Sequence, residues 1–312
     1  MSVLRWLAQH RLLVLAGLAY VTFAPAALFA IPLAALLAAT SLRTSRESLT
    51  AAVAGGLSLV WLLEAGDLPD QLVRASTVIA TGVFVTATRF TRAPVIHRAL
   101  VAVITAAVTV GVLLLVMGSS WNEAHWWAEY RAGYLARVAS QLFWVLGDGG
   151  STSAAQVDQV LLGFVRFQAD YFPALGALRI LAGLALATAI YHRVALKPYG
   201  PGLAKFRGFR FTEHLGWAAI VPLTVVLIPK LAAAKLGAMN LLLFLGAIYA
   251  LRGVAVVAFG LRFMGAASGL FIAFMVVAAI LILPLVPAGA ILLGVVDSGL
   301  DLRRRWTTPP TD

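Results

Sequence analysis

Residues 239–261 read MNLLLFLGAIYALRGVAVVAFGL, and this stretch decides which class of protein the sequence encodes. A helix of about 20 apolar residues is long enough to cross the hydrocarbon layer of a bilayer. Arg252 is the one charged residue in the stretch. Because a charge near the centre of a membrane helix is costly, we expect Arg252 to face other helices rather than lipid.

The composition of the whole chain agrees with a membrane protein. Hydrophobic residues make up 61% of the 312 residues and charged residues 12%, whereas a soluble domain has about 25% charged residues. Apolar residues occur in blocks, which favours helices over a transmembrane barrel. The sequence therefore predicts an all-α, polytopic transmembrane helical bundle with about 8–10 membrane segments. The predicted helical segments are 3–23, 26–43, 48–64, 71–89, 95–118, 173–196, 214–230, 237–261, 265–283 and 288–300.

Prolines leave the number of helices open in two regions. Residues 12–40 are uncharged and contain Pro25 and Pro32, so they form either one kinked span or two short helices. Residues 265–300 pose the same choice at Pro284 and Pro287.

Loop charges predict the orientation of the chain. Lys and Arg concentrate in connecting segments that the positive-inside rule places in the cytoplasm, namely residues 43–46, 89–98, 193–210 and 303–305. Two helices in each proline-containing region keep all of these segments on one side, together with the N-terminus. We therefore expect a bacterial inner-membrane protein with both termini in the cytoplasm.

Residues 119–172 interrupt the membrane pattern. The stretch WNEAHWWAEYRAGYLARVASQLFWVLG, residues 121–147, places apolar residues at helical spacing and polar residues between them. We expect an amphipathic helical hairpin on the outer face, with Trp126 and Trp127 as interfacial anchors. Two roles are open for this hairpin. It either only occupies the membrane–water interface, or it acts as a lid or a partner-docking surface. The chain is thus divided into N-terminal membrane helices (1–118), this insertion (119–172) and C-terminal membrane helices with a short cytoplasmic tail (173–312).

The sequence contains no pattern typical of an enzyme. It has no cysteine, no glycine-rich phosphate loop and no histidines at metal-ligand spacing. We expect neither a catalytic residue nor a metal or cofactor. The net charge of +11 lies mainly in loops that flank membrane segments, so the expected partner is the lipid bilayer rather than nucleic acid.

Small residues recur at helical spacing in two places, where they would permit close contact with a partner helix. These pairs are Ala34 with Ala38 and Gly265 with Gly269. The alternative is ordinary packing within the protein.

Arg252 needs a partner inside the bundle. It lies nine residues before Leu261, which corresponds to a depth of about 14 Å at the helical rise per residue. Asp297 is the best candidate, because it lies in the apolar stretch ILLGVVDSGL of another helix. Two interpretations remain open, a structural ion pair and a ligand or anion site.

The C-terminal third resembles a known family. The stretches NLLLFLGAIYALRGVAVVAFGLRFMG (240–265) and LPLVPAGAILLGVVDSGLDLRRR (283–305) resemble the YybS-like family of predicted bacterial membrane proteins, a domain of unknown function. The matching features include Asn240, the segment from Tyr249 to Gly253 and the final Gly294, Asp297 and Arg303. The resemblance makes Asn240 and Tyr249 further candidates for ligand or ion-pair contacts.

That family is in turn remotely similar to the substrate-capture subunits of energy-coupling-factor vitamin transporters. Such subunits use stripes of small residues to meet a transmembrane partner, a role that Ala34 and Ala38 could imitate. The long insertion at 119–172 departs from their six-helix pattern.

Two functions are therefore expected as alternatives. The first is a transporter-subunit-like bundle that binds an unknown small solute or a membrane-protein partner. The second is an envelope assembly scaffold that recruits partners through the outer hairpin.

Overall fold

The structure is a computed structural model of the chain. It describes residues 26–40, 42–64, 68–116, 123–130, 132–134, 137, 162–163, 165–212, 214–263 and 285–307. All regular secondary structure in these ranges is helical, which confirms the predicted all-α membrane bundle. The chain forms two compact units, Met1–Leu203 and Ala204–Asp312.

Within the described residues, five helices of the first unit have defined bounds. They are α1 (Ala27–Ala38), α2 (Ser45–Leu63), α3 (Leu68–Phe90), α4 (Val95–Val116) and α5 (Phe172–Val194). Helix α1 packs against α2, α3 and α5, and α3 packs along α4. The core of this unit contains the fully buried side chains of Leu28, Leu37, Phe84, Leu184 and Tyr191.

The second unit is built around one long helix. Its helices are α6 (His214–Leu227), α7 (Lys235–Phe263), α8 (Leu285–Leu300) and α9 (Leu302–Thr307), with 3₁₀ turns at Phe206–Gly208 and Pro229–Ala234. Helix α7 packs along α8 on one side and contacts α6 on another. The predicted segments 3–23 and 265–283 lie outside the described residues.

Helix α2 begins three residues before its predicted start at 48, because Thr44 and Glu47 form a capping box. The Thr44 hydroxyl accepts the Glu47 N–H at 3.2 Å, and the Glu47 carboxylate accepts the Thr44 N–H at 2.9 Å. The other carboxylate oxygen of Glu47 accepts the N–H of Leu196 at 2.6 Å. Glu47 therefore joins the start of α2 to the segment that follows α5.

Helix α8 also begins earlier than predicted, at Leu285 rather than 288. Pro287 falls in its first turn, where backbone N–H groups have no intrahelical acceptor, so the missing donor costs little.

Three described helices are long and apolar enough to cross a membrane, namely Val95–Val116, Phe172–Val194 and Lys235–Leu261. Helix α4 exposes Val101, Ile104, Val108 and Val112, each more than half accessible. These residues form one stripe at helical spacing, which suits a lipid surrounding. The predicted total of about 8–10 segments remains a prediction.

Three buried hydroxyl groups are satisfied within their own helices, as suits an apolar surrounding. Ser58, Thr88 and Thr188 each donate to the carbonyl oxygen four residues earlier, at 2.7 Å.

Candidate functional site

Two glycines bring α7 and α8 into close contact. A Cβ atom added to Gly253 would collide with the backbone carbonyl of Ala290, and one added to Gly294 would collide with the carbonyl of Tyr249. The absence of both side chains lets the two backbones approach directly. This approach sets Arg252, the neighbour of Gly253, opposite the final turns of α8.

The structure brings Arg252 and Asp297 together. Arg252 Nε donates to Asp297 Oδ2 at 2.8 Å, and Nη2 donates to the Asp297 carbonyl at 3.0 Å. Nη1 donates to the Phe211 carbonyl and to Ser298 Oγ, each at 3.2 Å. Arg252 is 4% exposed and Asp297 fully buried. Since all three nitrogens of the guanidinium are engaged, its geometry is that of a structural ion pair.

A second arginine completes this cluster. Arg303 Nη2 donates to Asp297 Oδ2 at 2.7 Å, and Nε donates to Oδ1 at 3.3 Å. Arg303 is 2% exposed. We call Arg252, Asp297 and Arg303 the buried triad. One carboxylate holds two guanidinium groups, so the triad keeps one net positive charge.

The turn at Asp301 makes this arrangement possible. Asp301 separates α8 from α9 and has a φ of 44°, a left-handed conformation that few residues other than glycine adopt. The reversal returns Arg303 to the side of Asp297. Asp301 itself pairs with Arg210 at 2.9 Å. A spacing of four residues would place Asp297 and Asp301 on the same face of a continuous helix, as an acid pair. In the structure the two carboxylates bind different arginines and do not form such a pair.

A basic cavity lies beside the buried triad. It has a volume of about 340 Å³ and is lined by Lys205, Arg207, Gly208, Arg210, Phe259 and Arg303. Arg303 Nη1 donates to the carbonyls of Arg207 and Phe209 at 2.9 and 3.0 Å, which fixes the loop that forms one wall. The ring of Phe259 stacks on Trp306, with 6.3 Å between centroids.

The cavity is electropositive. Among the described residues of the cavity wall and the buried triad there are five basic side chains and two carboxylates, so three positive charges remain; they are Lys205, Arg207, Arg210, Arg252 and Arg303, with Asp297 and Asp301. The side chains of Lys205 and Arg207 have no hydrogen-bond or ion-pair partner among the described residues. Their donors are therefore available to an anionic group.

Asn240 and Tyr249 do not belong to this cavity. Asn240 is 7% exposed and donates to the carbonyl of Leu236, four residues earlier in its own helix, at 3.0 Å. Tyr249 is buried against the ring of Phe211, with 5.1 Å between centroids. Phe211 also lies under the guanidinium of Arg252 at 5.1 Å. Tyr249 thus supports the buried triad through Phe211.

The predicted partner-helix residues are only partly described. Ala34 and Ala38 lie on the side of α1 that is not fully buried, and Ala38 is exposed. Gly265 and Gly269 lie outside the described residues.

The predicted anchors of the hairpin form an aromatic cluster. Trp126 packs edge-on against Trp127 at 4.9 Å and stacks on Tyr130 at 5.7 Å. Trp126 and Tyr130 are more than half exposed. His125 lies 2.9 Å from Asp170, so the helical residues 123–130 meet those at 165–170.

Sequence reasoning missed the loop residues Lys205, Arg207 and Arg210 as site residues, because clustered charges beside a membrane segment are first read as orientation signals. The run Arg303–Arg305 after Asp297 was the available signal for a larger ion network. Within the described ranges, no group of three metal-ligating side chains is present.

Comparisons with known proteins give one result. A family described as "Predicted membrane protein (DUF2232)" matches residues 11–298. No curated protein and no solved structure matches the chain. The comparisons do not show the expected similarity to energy-coupling-factor transporters. The match covers nearly the whole chain and includes both α7 and α8, so the chain belongs to this family of predicted membrane proteins.

Proposed function

We propose that the protein is a small-solute-binding membrane bundle of the transporter-subunit type, and that its solute carries an anionic group. The observation that carries the proposal is the basic cavity, whose walls include four cationic side chains. Guanidinium groups form charge-assisted, often paired hydrogen bonds with carboxylates and phosphates. The buried triad holds the cavity wall rigid, because Arg303 belongs to both.

Replacing Arg207 by glutamine is expected to weaken anion binding about tenfold, because one charge-assisted contact is lost. Binding of inorganic phosphate, pyrophosphate and succinate to the purified full chain would be measured by melting temperature at low ionic strength, where screening is weak. Lys205→Gln should act in the same direction.

Lys230→Gln is the matched control, since Lys230 is exposed and does not line the cavity. Choline tests the sign of the charge and should give no stabilisation. If none of the three anions stabilises the wild-type protein, or if Arg207→Gln binds them as well as wild type does, the proposal is wrong.

We further propose that both termini and the basic cavity face the cytoplasm of a bacterial cell. The chain contains no cysteine, so single-cysteine variants give an unambiguous labelling test. A membrane-impermeant maleimide is expected to label Ser151→Cys in intact cells and to label Thr307→Cys only after the cells are opened. The reverse pattern would overturn this orientation.

The scaffold function remains the second candidate, and the exposed aromatic cluster of Trp126, Trp127 and Tyr130 favours it. Exposed tryptophan and tyrosine are typical of interfaces with partners or lipid headgroups. Co-purification of envelope proteins with the wild-type chain, lost in Trp126→Ala, would support it. Purification of the chain without such proteins would reject it.

A further inference from the structure

Arg98 in the first unit is a buried charge without a counter-charge among the described residues. Its side chain lies near the start of α4, and the residue is 2% exposed. Nη2 donates to the carbonyl of Pro201 at 2.9 Å. Nε and Nη1 have no hydrogen-bond partner, and no described carboxylate forms an ion pair with the group.

This situation differs from that of the other buried arginines. Arg74 pairs with Asp70 at 2.7 Å, and Arg252 and Arg303 share Asp297. A guanidinium taken out of water without compensation is strongly unfavourable. Arg98 gains only one carbonyl and the face of the Phe84 ring, which lies 5.6 Å away. An anion would supply the compensation that its protein neighbours do not.

The residue that lies against Arg98, Gly200, has no side chain. Gly200 has a φ of 67°, and a Cβ added to it would lie 2.7 Å from Arg98 Nη1 and 3.2 Å from the Thr88 carbonyl. A side chain at this position would be strained and would press on the guanidinium. The glycine therefore allows the 200–201 backbone to lie directly against Arg98.

The same glycine lines a cavity. This cavity has a volume of about 450 Å³, and its walls include Thr88, Arg89, Thr91, Arg92, Gly200 and Pro201. Arg89 and Arg92 are exposed at its rim. Arg98 is not itself part of the cavity lining. Its Nη1 lies directly against Gly200, so one glycine separates the buried guanidinium from the cavity.

Two guanidinium groups line the cavity, those of Arg89 and Arg92, and a third, that of Arg98, is buried behind Gly200. This concentration of positive charge suits an anion with several oxygens. A phosphate group presents more oxygen acceptors than a carboxylate does, and arginine matches its geometry with paired N–H donors. We propose that residues 88–92 and 200–201 form a phosphate-binding site whose buried cation is Arg98. The phosphate belongs either to a soluble molecule or to an anionic lipid headgroup, and both present the same chemistry to the site.

The test measures stabilisation of the full chain in neutral detergent at constant ionic strength. One arm titrates inorganic phosphate and the other titrates phosphatidylglycerol. Both arms use the Arg207→Gln background, which weakens binding at the basic cavity in the other unit about tenfold, and Arg92→Gln is compared with this parent. Failure of one site is thereby distinguished from failure of the other.

Arg92→Gln is expected to weaken the apparent affinity about tenfold or more, through the loss of one charge-assisted contact. Arg98→Gln is expected to weaken it too, through the loss of the buried positive charge behind Gly200. Arg46→Gln is the matched control, because Arg46 is exposed and does not line the cavity. Stabilisation by phosphate identifies a soluble ligand, and stabilisation by the lipid alone identifies a headgroup. Either result supports the site when Arg92→Gln diminishes it.

The proposal is overturned if neither probe stabilises the protein. It is equally overturned if Arg92→Gln, a change at an exposed position that leaves the core intact, binds both probes as well as its parent does. Arg92→Gln therefore tests the proposed phosphate site even if the Arg98→Gln variant does not fold.

Discussion

Asp297→Asn is expected to destabilise the protein by about 3–5 kcal/mol, the range for breaking a buried ion pair from one side. The loss should exceed that of Arg252→Met. Asp297→Asn leaves two buried guanidinium groups without a carboxylate, whereas Arg252→Met leaves Asp297 still paired with Arg303 at 2.7 Å. The melting temperatures of the purified variants in detergent give the order of their stabilities.

Asp301→Asn is the matched control for this experiment. It removes the carboxylate from an ion pair whose side chains are 46% and 37% exposed, and exposed pairs contribute only about 0–1 kcal/mol. Equal effects of Asp297→Asn and Asp301→Asn would mean that the buried triad does not stabilise the unit. The double variant Arg252→Met, Asp297→Asn should lose less than the sum of the two single losses, since the groups interact directly.

Gly253→Ala is expected to destabilise the contact between α7 and α8, although alanine is the better helix former by about 1 kcal/mol. The added methyl group meets the backbone carbonyl of Ala290, which cannot move aside as a flexible side chain would. The helices must separate, and overpacking of this kind costs about 1–3 kcal/mol. Separation also lengthens the contact between Arg252 and Asp297, so we expect the upper end of that range. Melting temperature in detergent measures the change.

Gly237→Ala provides the comparison within the same helix. Nothing lies within 4 Å of the added methyl group at that position, so the variant should match or exceed the wild type in stability. Gly294→Ala should behave like Gly253→Ala, because its methyl group meets the carbonyl of Tyr249. A Gly253→Ala variant as stable as Gly237→Ala would contradict the close helix contact.

The helical architecture and the Arg252–Asp297 contact could be predicted from the sequence for one physical reason. A charge in an apolar helix needs a partner, and few acids lie in apolar segments, so the choice was narrow. Asp297 was the one acid in the apolar part of another predicted span. The same reasoning works wherever charged residues are rare.

The run Arg303–Arg305 indicated an ion network, but the identity of Arg303 as the second partner of Asp297 could not be predicted from the sequence. Its position depends on Asp301 adopting a left-handed conformation, and the neighbouring Gly299 is the residue that a sequence pattern would choose for such a turn. The burial of Arg98 has a similar cause. It results from contact with Gly200 and Pro201, about a hundred residues away along the chain, and local charge patterns do not contain that information.

The capping box of α2 can be recognised in the sequence, because threonine followed three residues later by glutamate is a known signature of a helix start. The contact between Glu47 and Leu196 cannot be recognised in the sequence. A long-range hydrogen bond of this kind depends on tertiary packing, and no local sequence pattern indicates it.

The contact between Glu47 and Leu196 has a consequence for biogenesis. The two residues are 149 positions apart, and a ribosome adds about 5–20 residues per second. Thr44 and Glu47 can form the capping box as soon as they leave the ribosome, but the second carboxylate oxygen has no Leu196 N–H to accept until α5 has been synthesised and inserted. At that rate of synthesis, the capping box of α2 can exist for roughly 7–30 s before the chain reaches Leu196. The closing of this bond therefore marks the moment at which the start of α2 is joined to the segment that follows α5.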